Sequence, residues 1–343
     1  MHDVIEVSYT GDLLGHRRCP RAWCYEKQAG FHPYEQVQAM EGRLVHHAME
    51  WLTRKYIETG KHASRAELEN QLNAFFRVLW ARGIRTTFES KKDTINRVVG
   101  NLFPTGQSSG GGMHPTVMAA IEGAQHTEYE LKTVKKLIRA DFGGKSRLLL
   151  TGILDLVVQQ DKPLTYPRSW TWHDLVNLTG VVSPIPVAAN TGDVEIWDYK
   201  GTRADTKYIT DYVRQLLTYA ALYKEKSGEL PKRCVLFFIN EKNRDDQLLA
   251  IKVDESIVNA ALKWTIEQVK LIRATILEFQ RSPLSVEGGG VEDRHLAVGQ
   301  RVTEELKQQC TACGFRFDCP EYTTHLPGGL KHPDVELTNI RKN

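Results

Sequence analysis

Residues 194–202 read VEIWDYKGT and residues 147–160 read RLLLTGILDLVVQQ. Strand alternation puts Val194, Ile196, Asp198 and Lys200 on one side of the first stretch and Glu195, Trp197 and Tyr199 on the other. The second stretch is rich in leucine and β-branched residues, as suits a central strand covered on both faces. One residue breaks it. Asp155 stands among Leu149, Leu150, Ile153, Leu154, Leu156, Val157 and Val158, where a carboxylate is costly to bury unless it is paired or bound to a metal. Taken alone, it reads equally well as a strand-end aspartate that reaches solvent.

Working outward, helical spacing predicts a long helix over 34–56, with Leu44, Ala48, Trp51 and Leu52 available for a buried face. A second helix is expected over 65–82, with Ser64 as N-cap and Glu67 three residues later, and a third over 92–102. The Gly/Ser-rich stretch 104–115 is a loop within this helical region. Another short helix and a strand-like stretch then lead to residue 147. Between the two quoted stretches lies an insert over 161–192, with Pro163, Pro167, Trp170, Trp172, Pro184 and Pro186, too long for a hairpin turn. YITDYVRQLLTYAALYKEK (208–226) is a helix, and KRCVLFFINEK (232–242) with QLLAIKV (247–253) is a pair of strands. A long helix follows over about 256–281, then a Gly-rich linker and a final helix ending near residue 309. The pattern as a whole predicts an α/β protein.

At 343 residues and 41% hydrophobic content, the chain can bury one large core or two modest ones. The N-terminus MHDVIEVSYT lacks a signal-peptide pattern and no long apolar run is present, so a cytoplasmic protein without a membrane segment is expected. The formal charge of +3 permits nucleic-acid binding without arguing for it. Six cysteines in such a chain point to a metal or cluster site more than to disulfides, because Cys310-x2-Cys313 lies close to Cys319.

Two carboxylates at strand ends suit a hard cation such as Mg²⁺, and Lys200 follows Asp198 by two residues on the same strand side. Gln215 and Tyr219 come one helical turn apart just downstream. The series Asp155, Asp198-Tyr199-Lys200 and Gln215-x3-Tyr219 resembles the PD-(D/E)XK nuclease superfamily, in particular its RecB-like exonuclease branch. The resemblance implies a restriction-endonuclease-like core in which a central mixed sheet is flanked by helices. It further implies a metal held by the carboxylates of Asp155 and Asp198 and the backbone carbonyl of Tyr199. Gly42-Arg-Leu-Val-His46 is similar to the motif that adds a histidine to that site, so His46 is the fourth expected ligand. A nitrogen donor beside carboxylates suits Mn²⁺ as well as Mg²⁺. Lys200 is expected to assist the attacking water, Gln215 and Tyr219 to hold the substrate or the lysine, and Glu128 or Glu130 to add a further acid.

Cys19-Pro20 near the N-terminus together with Cys310-x2-Cys313-x5-Cys319 is similar to the iron–sulfur members of this branch, among them the CRISPR-associated RecB-like exonucleases and AddB-type nuclease domains. Four thiolates suit a [4Fe–4S] cluster, and zinc is the competing metal. Cys24 and Cys234 read as packed thiols. The expected division is 1–33 as a segment supplying one cluster cysteine, 34–125 helical with the His motif, 126–285 the nuclease core, and 286–343 the C-terminal cysteine lobe. The implied function is metal-dependent exonuclease action on DNA, at single-stranded ends, in CRISPR spacer acquisition or in recombination and repair. A CRISPR integrase or a helicase is the implied partner, since the chain has no Gly-x4-Gly-Lys-Ser/Thr pattern of its own. The rival readings are a catalytically silent iron–sulfur DNA-binding scaffold subunit and a zinc-stabilised interaction protein. The insert's tryptophans either pack it down or stack on nucleobases.

Overall fold

The computed structural model of the chain describes residues 4–30, 38–82, 90–104, 112–132, 147–166, 169–170, 187–201, 204, 206–241 and 244–281, together with 310, 313 and 315. The chain divides into two compact units, one of residues 1–14 and 37–270, the other of 15–36 and 271–343.

The first unit is built on a mixed sheet of seven strands. These are β1 (Val4–Ser8), β2 (Ala124–Lys132), β3 (Arg147–Gln159), β5 (Ser169–Trp170), β7 (Val194–Lys200), β8 (Arg233–Phe238) and β9 (Leu248–Lys252), while β4 (Leu164–Tyr166) and β6 (Val187–Ala189) form a separate antiparallel pair. The order runs β1-β3-β7-β8-β9-β5, with β2 also on β3. β3 is antiparallel to β2 and β7, whereas β7 and β8 run parallel and are joined by the helix Thr206–Ser227. A parallel pair needs such a crossover, and the apolar run of that helix supplies a face to bury on the sheet. Val213, Leu216, Leu217 and Ala220 are that face.

The helices Gln38–Thr59, which carries the His motif, Arg65–Ala81, Lys91–Leu102 and Pro115–Glu122 precede the sheet's central strands in this unit. Leu44, Ala48 and Leu52 of the first join Leu68, Leu72 and Phe76 of the second and Val98, Val99 and Leu102 of the third in one core. Leu156 and Val158 of β3 and Trp197 and Tyr199 of β7 belong to the same core. The His-motif helix therefore shares its core with the two strands quoted at the outset. Ser64 and Glu67 form the capping box that their spacing predicts.

At the far end of β7, Glu195 is fully buried yet saturated with donors. It accepts from Arg233 Nε (2.7 Å), Gln160 Nε2 (2.8 Å), Trp197 Nε1 (3.1 Å) and the Tyr166 hydroxyl. Asp193 pairs with the same guanidinium. Burial raises the Tyr166 hydroxyl well above its ordinary pKa, with the Glu195 charge adding to the effect. This knot fastens the insert's first strand to the sheet.

β1 is a strand the sequence reading did not anticipate. It pairs in parallel with β3 from Val4 opposite Arg147 to Ser8 opposite Thr151. Its five residues are too few for a periodicity argument, and only the distant partner makes them a strand. The insert is likewise not structureless. It contributes β5 to the main sheet beside β9, and β4 and β6 pair with one another. The side chains of Trp170 and Trp172 lie outside the described residues.

In the second unit, the helix Pro20–Lys27 is capped by Cys19, whose sulfur accepts the Ala22 N–H (3.5 Å), with Pro20 in the first turn. His16 is buried and bonds Thr275 Oγ1 through Nε2 (2.8 Å), and burial lowers its pKa. Tyr25 meets Phe315 edge-on with ring centroids 5.6 Å apart. Cys313 N–H donates to the Cys310 carbonyl (3.1 Å), and the Cys313 sulfur accepts the Phe315 N–H (3.4 Å). Of the four cysteines expected to hold an iron–sulfur cluster, Cys19, Cys310 and Cys313 are described. Among the described residues their sulfurs do not all meet within 4.8 Å, the spacing of ligands on a single ion. Cys319, the expected final helix and the linker before it lie outside the described residues.

Candidate metal centre

The register of the central strands brings three carboxylates to one level of the sheet. Pairing between β3 and β7 runs from Gln159 opposite Val194 to Leu156 opposite Trp197 and stops there. The next rung would set Asp155 against Asp198. Here the strands part, and Asp155 Oδ2 accepts the backbone N–H of Tyr199 (2.7 Å) in place of a ladder bond. Such a bond satisfies a backbone donor that would otherwise be buried unpaired. On the other side of β3, Thr127 opposes Leu156 and Tyr129 opposes Leu154, so Glu128 stands level with Asp155. Glu128 has φ 50, the only positive φ of a non-glycine among the described residues. A left-handed glutamate inside a strand costs on the order of 1–3 kcal/mol, and such costs concentrate at functional positions.

The helix Gln38–Thr59 supplies the fourth group. His46 Nδ1 lies 3.3 Å from Asp155 Oδ1. Ligand atoms of His46, Glu128 and Asp155 all lie within 4.8 Å of one another. This approach is tight at Gly201. A Cβ built on Gly201, just past β7, would stand 3.3 Å from Gly42 Cα, in the helix turn before His46.

Acidic and basic groups are concentrated here. Burial pushes the Glu128 carboxyl up to about 7, and the neighbouring charge of Asp155 and then Glu50 adds to the rise. Burial also raises Asp198, with Asp155 as the like-charged neighbour, although Lys200 works against it. Asp155 goes the other way. Its burial is outweighed by His46, by the Tyr199 N–H and by Lys200, so its pKa falls. For His46, burial alone would lower the pKa, but the charge and hydrogen bond of Asp155 raise it to about 9. Two carboxylates and an imidazole within reach of one point, with one acid driven toward protonation by burial and then by its neighbours, are a donor set that fits a divalent cation. Oxygen donors suit Mg²⁺, and the imidazole extends the fit to Mn²⁺.

Lys200 stands beside this group. Its ammonium pairs with Asp198 Oδ2, donates to Gln215 Oε1 (3.2 Å) and lies 4.4 Å from the Tyr212 ring centroid. Gln215 Nε2 donates to the Tyr219 hydroxyl (3.3 Å) and to Thr10 Oγ1 (3.2 Å). Burial raises the Tyr219 pKa to about 12. The ring of Tyr219 lies against Gly152 of β3, where a Cβ would fall 2.4 Å from Cε1.

The structure therefore brings together His46, Asp155, Asp198, Lys200, Gln215 and Tyr219 from distant parts of the chain. Tyr199 enters through its backbone N–H. Asp198 faces Lys200 and is not in the three-residue ligand group. Of the two glutamates left open by the sequence, Glu128 joins the group, and the side chain of Glu130 is not among those described. His47 turns away, stacked on Phe75 at 3.8 Å and paired with Gln71. Cys24 and Cys234 are buried thiols, as read. Sequence reasoning missed Thr10, Tyr212 and Gly152. Of these, only Gly152 had a visible signal, a glycine inside a strand, which marks close approach of a neighbour.

Comparison with known families adds an independent observation. Residues 13–174 match the PD-(D/E)XK nuclease superfamily. The PD-(D/E)XK match takes in His46, Glu128, Asp155 and most of the helical layer, a little under half of the chain. It ends before Asp198, Lys200, Gln215 and Tyr219, which reach the same site through strand pairing and the crossover helix. No curated protein matches the chain. Among the described residues, no helix is long and apolar enough to cross a membrane.

Proposed function

We propose that this chain is a metal-dependent deoxyribonuclease that hydrolyses phosphodiester bonds, working as an exonuclease of the RecB-like type on single-stranded DNA ends. The observation that carries this reading is the convergence of His46, Glu128 and Asp155 beside a lysine held by Gln215, on a chain whose first half matches a nuclease superfamily. His46, Asp155 and Glu128 would hold the ion, and Asp198 and the Tyr199 carbonyl would complete its protein ligands. The ion, when bound, supplies Lewis acidity and a water of lowered pKa. Asp155 keeps its negative charge through the Tyr199 N–H and orients the imidazole of His46. Lys200 offers its ammonium to charge developing on the phosphate and orients the attacking water. Gln215 and Tyr219 keep that ammonium in place, so their contribution is alignment.

The finer elements rest on sequence pattern. These are the RecB-like branch, a [4Fe–4S] cluster on Cys19, Cys310, Cys313 and Cys319, the four-part division of the chain, and a CRISPR or repair role with an integrase or helicase partner. Iron and acid-labile sulfide analysis of anaerobically purified protein tests the cluster, and a zinc-only preparation would remove it. The nuclease itself is tested with end-labelled single- and double-stranded DNA in Mg²⁺, Mn²⁺ or EDTA, beside Lys200→Ala. Cleavage that needs metal and is lost in the variant is the expected result. DNA binding without cleavage by the wild type would overturn it in favour of the silent scaffold subunit.

A further inference from the structure

The end of β7 is tied to the start of the His-motif helix by a polar bridge that lies outside the metal centre. Asn240, two residues beyond β8, donates from Nδ2 to the Gly201 carbonyl (2.6 Å) and to Glu41 Oε1 (2.5 Å). Its Oδ1 accepts from Asn101 Nδ2 (2.8 Å). Arg97 closes on the same Glu41 as a fork, Nε to Oε1 and Nη2 to Oε2, each at 2.8 Å. Side chains from two helices thus converge on Asn240, which reaches the carbonyl of the residue directly following Lys200. The backbone of Lys200 is held from the same turn, where its carbonyl accepts the Ile239 N–H (3.0 Å).

An asparagine suits this position because one amide must donate to two acceptors and accept from a third group. Aspartate would set a carboxylate against Glu41 and against a carbonyl. Alanine would leave both acceptors without their donor, with the guanidinium of Arg97 still on Glu41. The two ends of the bridge are the helix and the strand that the metal centre needs in register. Glu41 precedes His46 by five residues, about 7.5 Å along a helix axis. Gly201 follows Lys200 directly, and a Cβ on Gly201 would stand 3.3 Å from Gly42 Cα of the helix.

We propose that Asn240, supported by Glu41 and Arg97, is a positioning residue that holds the His46 helix and β7 at the separation at which imidazole and carboxylates share one divalent ion. The proposal rests on the metal-centre reading above. Groups that orient metal ligands without touching the ion set affinity, and their loss costs about 10- to 100-fold.

The test is Mn²⁺ titration of the full chain by calorimetry, for the wild type, Asn240→Asp and Asn240→Ala, each accompanied by urea unfolding of the metal-free protein. The expected result is Mn²⁺ affinity weaker by about 10-fold or more in Asn240→Asp, with a smaller loss in Asn240→Ala. Cleavage lost at low Mn²⁺ should return at high Mn²⁺. A changed unfolding midpoint with unchanged Mn²⁺ affinity in a folded variant makes Asn240 a structural tie only and overturns the proposal. A wild type that binds no Mn²⁺ removes the metal centre itself, whereas wild-type binding that both variants retain removes only the bridge. Should Asn240→Asp fail to fold, Arg97→Lys, which keeps the charge and loses the fork, carries the same comparison.

Discussion

Replacing Gly152 with alanine sets two effects against each other, and the structure says which wins. In an unobstructed strand the change should stabilise by roughly 0.5–1 kcal/mol, because glycine loses more backbone freedom on folding. Here the new methyl carbon would stand 2.4 Å from Tyr219 Cε1, 2.9 Å from Cδ1 and 3.0 Å from Cζ. Carbon atoms settle at about 3.5–4.0 Å, so the ring must retreat by about an ångström. Tyr219 is buried and cannot swing into solvent. Overpacking of this kind costs about 1–3 kcal/mol, which exceeds the backbone gain. The retreat also removes the Tyr219 hydroxyl from Gln215, a contact already long at 3.3 Å, and Gln215 Oε1 is what holds Lys200. Misplacement of a reacting group by this distance can cost about 100-fold in rate. Urea unfolding and initial rates on labelled DNA measure the two losses. A double-mutant cycle with Tyr219→Ala isolates the clash, since Gly152→Ala should be nearly free in that background. An equal cost in both backgrounds, or a stabilised single variant, would refute the reasoning.

Three further predictions concern pH and the buried knot. Metal binding must displace protons from Glu128, whose pKa is about 7, and from His46, at about 9, so Mn²⁺ affinity should rise as pH increases through that window. Calorimetry in buffers of different ionisation enthalpy would count the protons released, and affinity that stays level from about pH 7 to 9 would contradict the ligand set. The metal-free protein should behave in the opposite sense. The raised pKa of His46 stabilises the fold fully below its ordinary value of 6.5 and is lost as pH passes about 9. The raised Glu128 makes the ionised fold less stable above its ordinary value of 4.5, with the full cost reached above about 7. In EDTA, the urea midpoint should therefore fall from mildly acid to alkaline pH, and a rising midpoint would reverse the assignment. At the knot, Glu195→Ala leaves the guanidinium of Arg233 half-paired and three further donors without their acceptor. It should cost about 3 kcal/mol or more in urea unfolding with the metal centre intact. A loss under about 1 kcal/mol would mean the knot relaxes around water.

Local pattern made much of this protein legible. Asp155 could be singled out because a carboxylate amid aliphatic residues needs a partner, and its partners are the Tyr199 N–H and His46. Helical spacing found the helix carrying His46 and the one carrying Gln215 and Tyr219, because one-face periodicity is a property of neighbouring residues. The capping box at Ser64 is equally local. The cysteine pattern was also visible, but the described residues stop short of Cys319, and Cys19, Cys310 and Cys313 are not among the groups whose ligand atoms meet at one ion. Spacing along a chain states which thiols are available and carries no information on where the chain returns.

What the sequence by itself determined is an α/β chain with Asp155, Asp198 and Lys200 on strands and His46, Gln215 and Tyr219 on helices. Only the tertiary structure decided how these meet. The choice of Glu128 came from the register of β2 on β3 and from a backbone forced to positive φ. The pairing of Lys200 with Asp198, the fit of Tyr219 on Gly152 and the Asn240 bridge join residues far apart in the chain. The physical reason is that secondary structure follows from the spacing of nearby side chains, whereas strand register and close backbone approach are set by packing across the whole core.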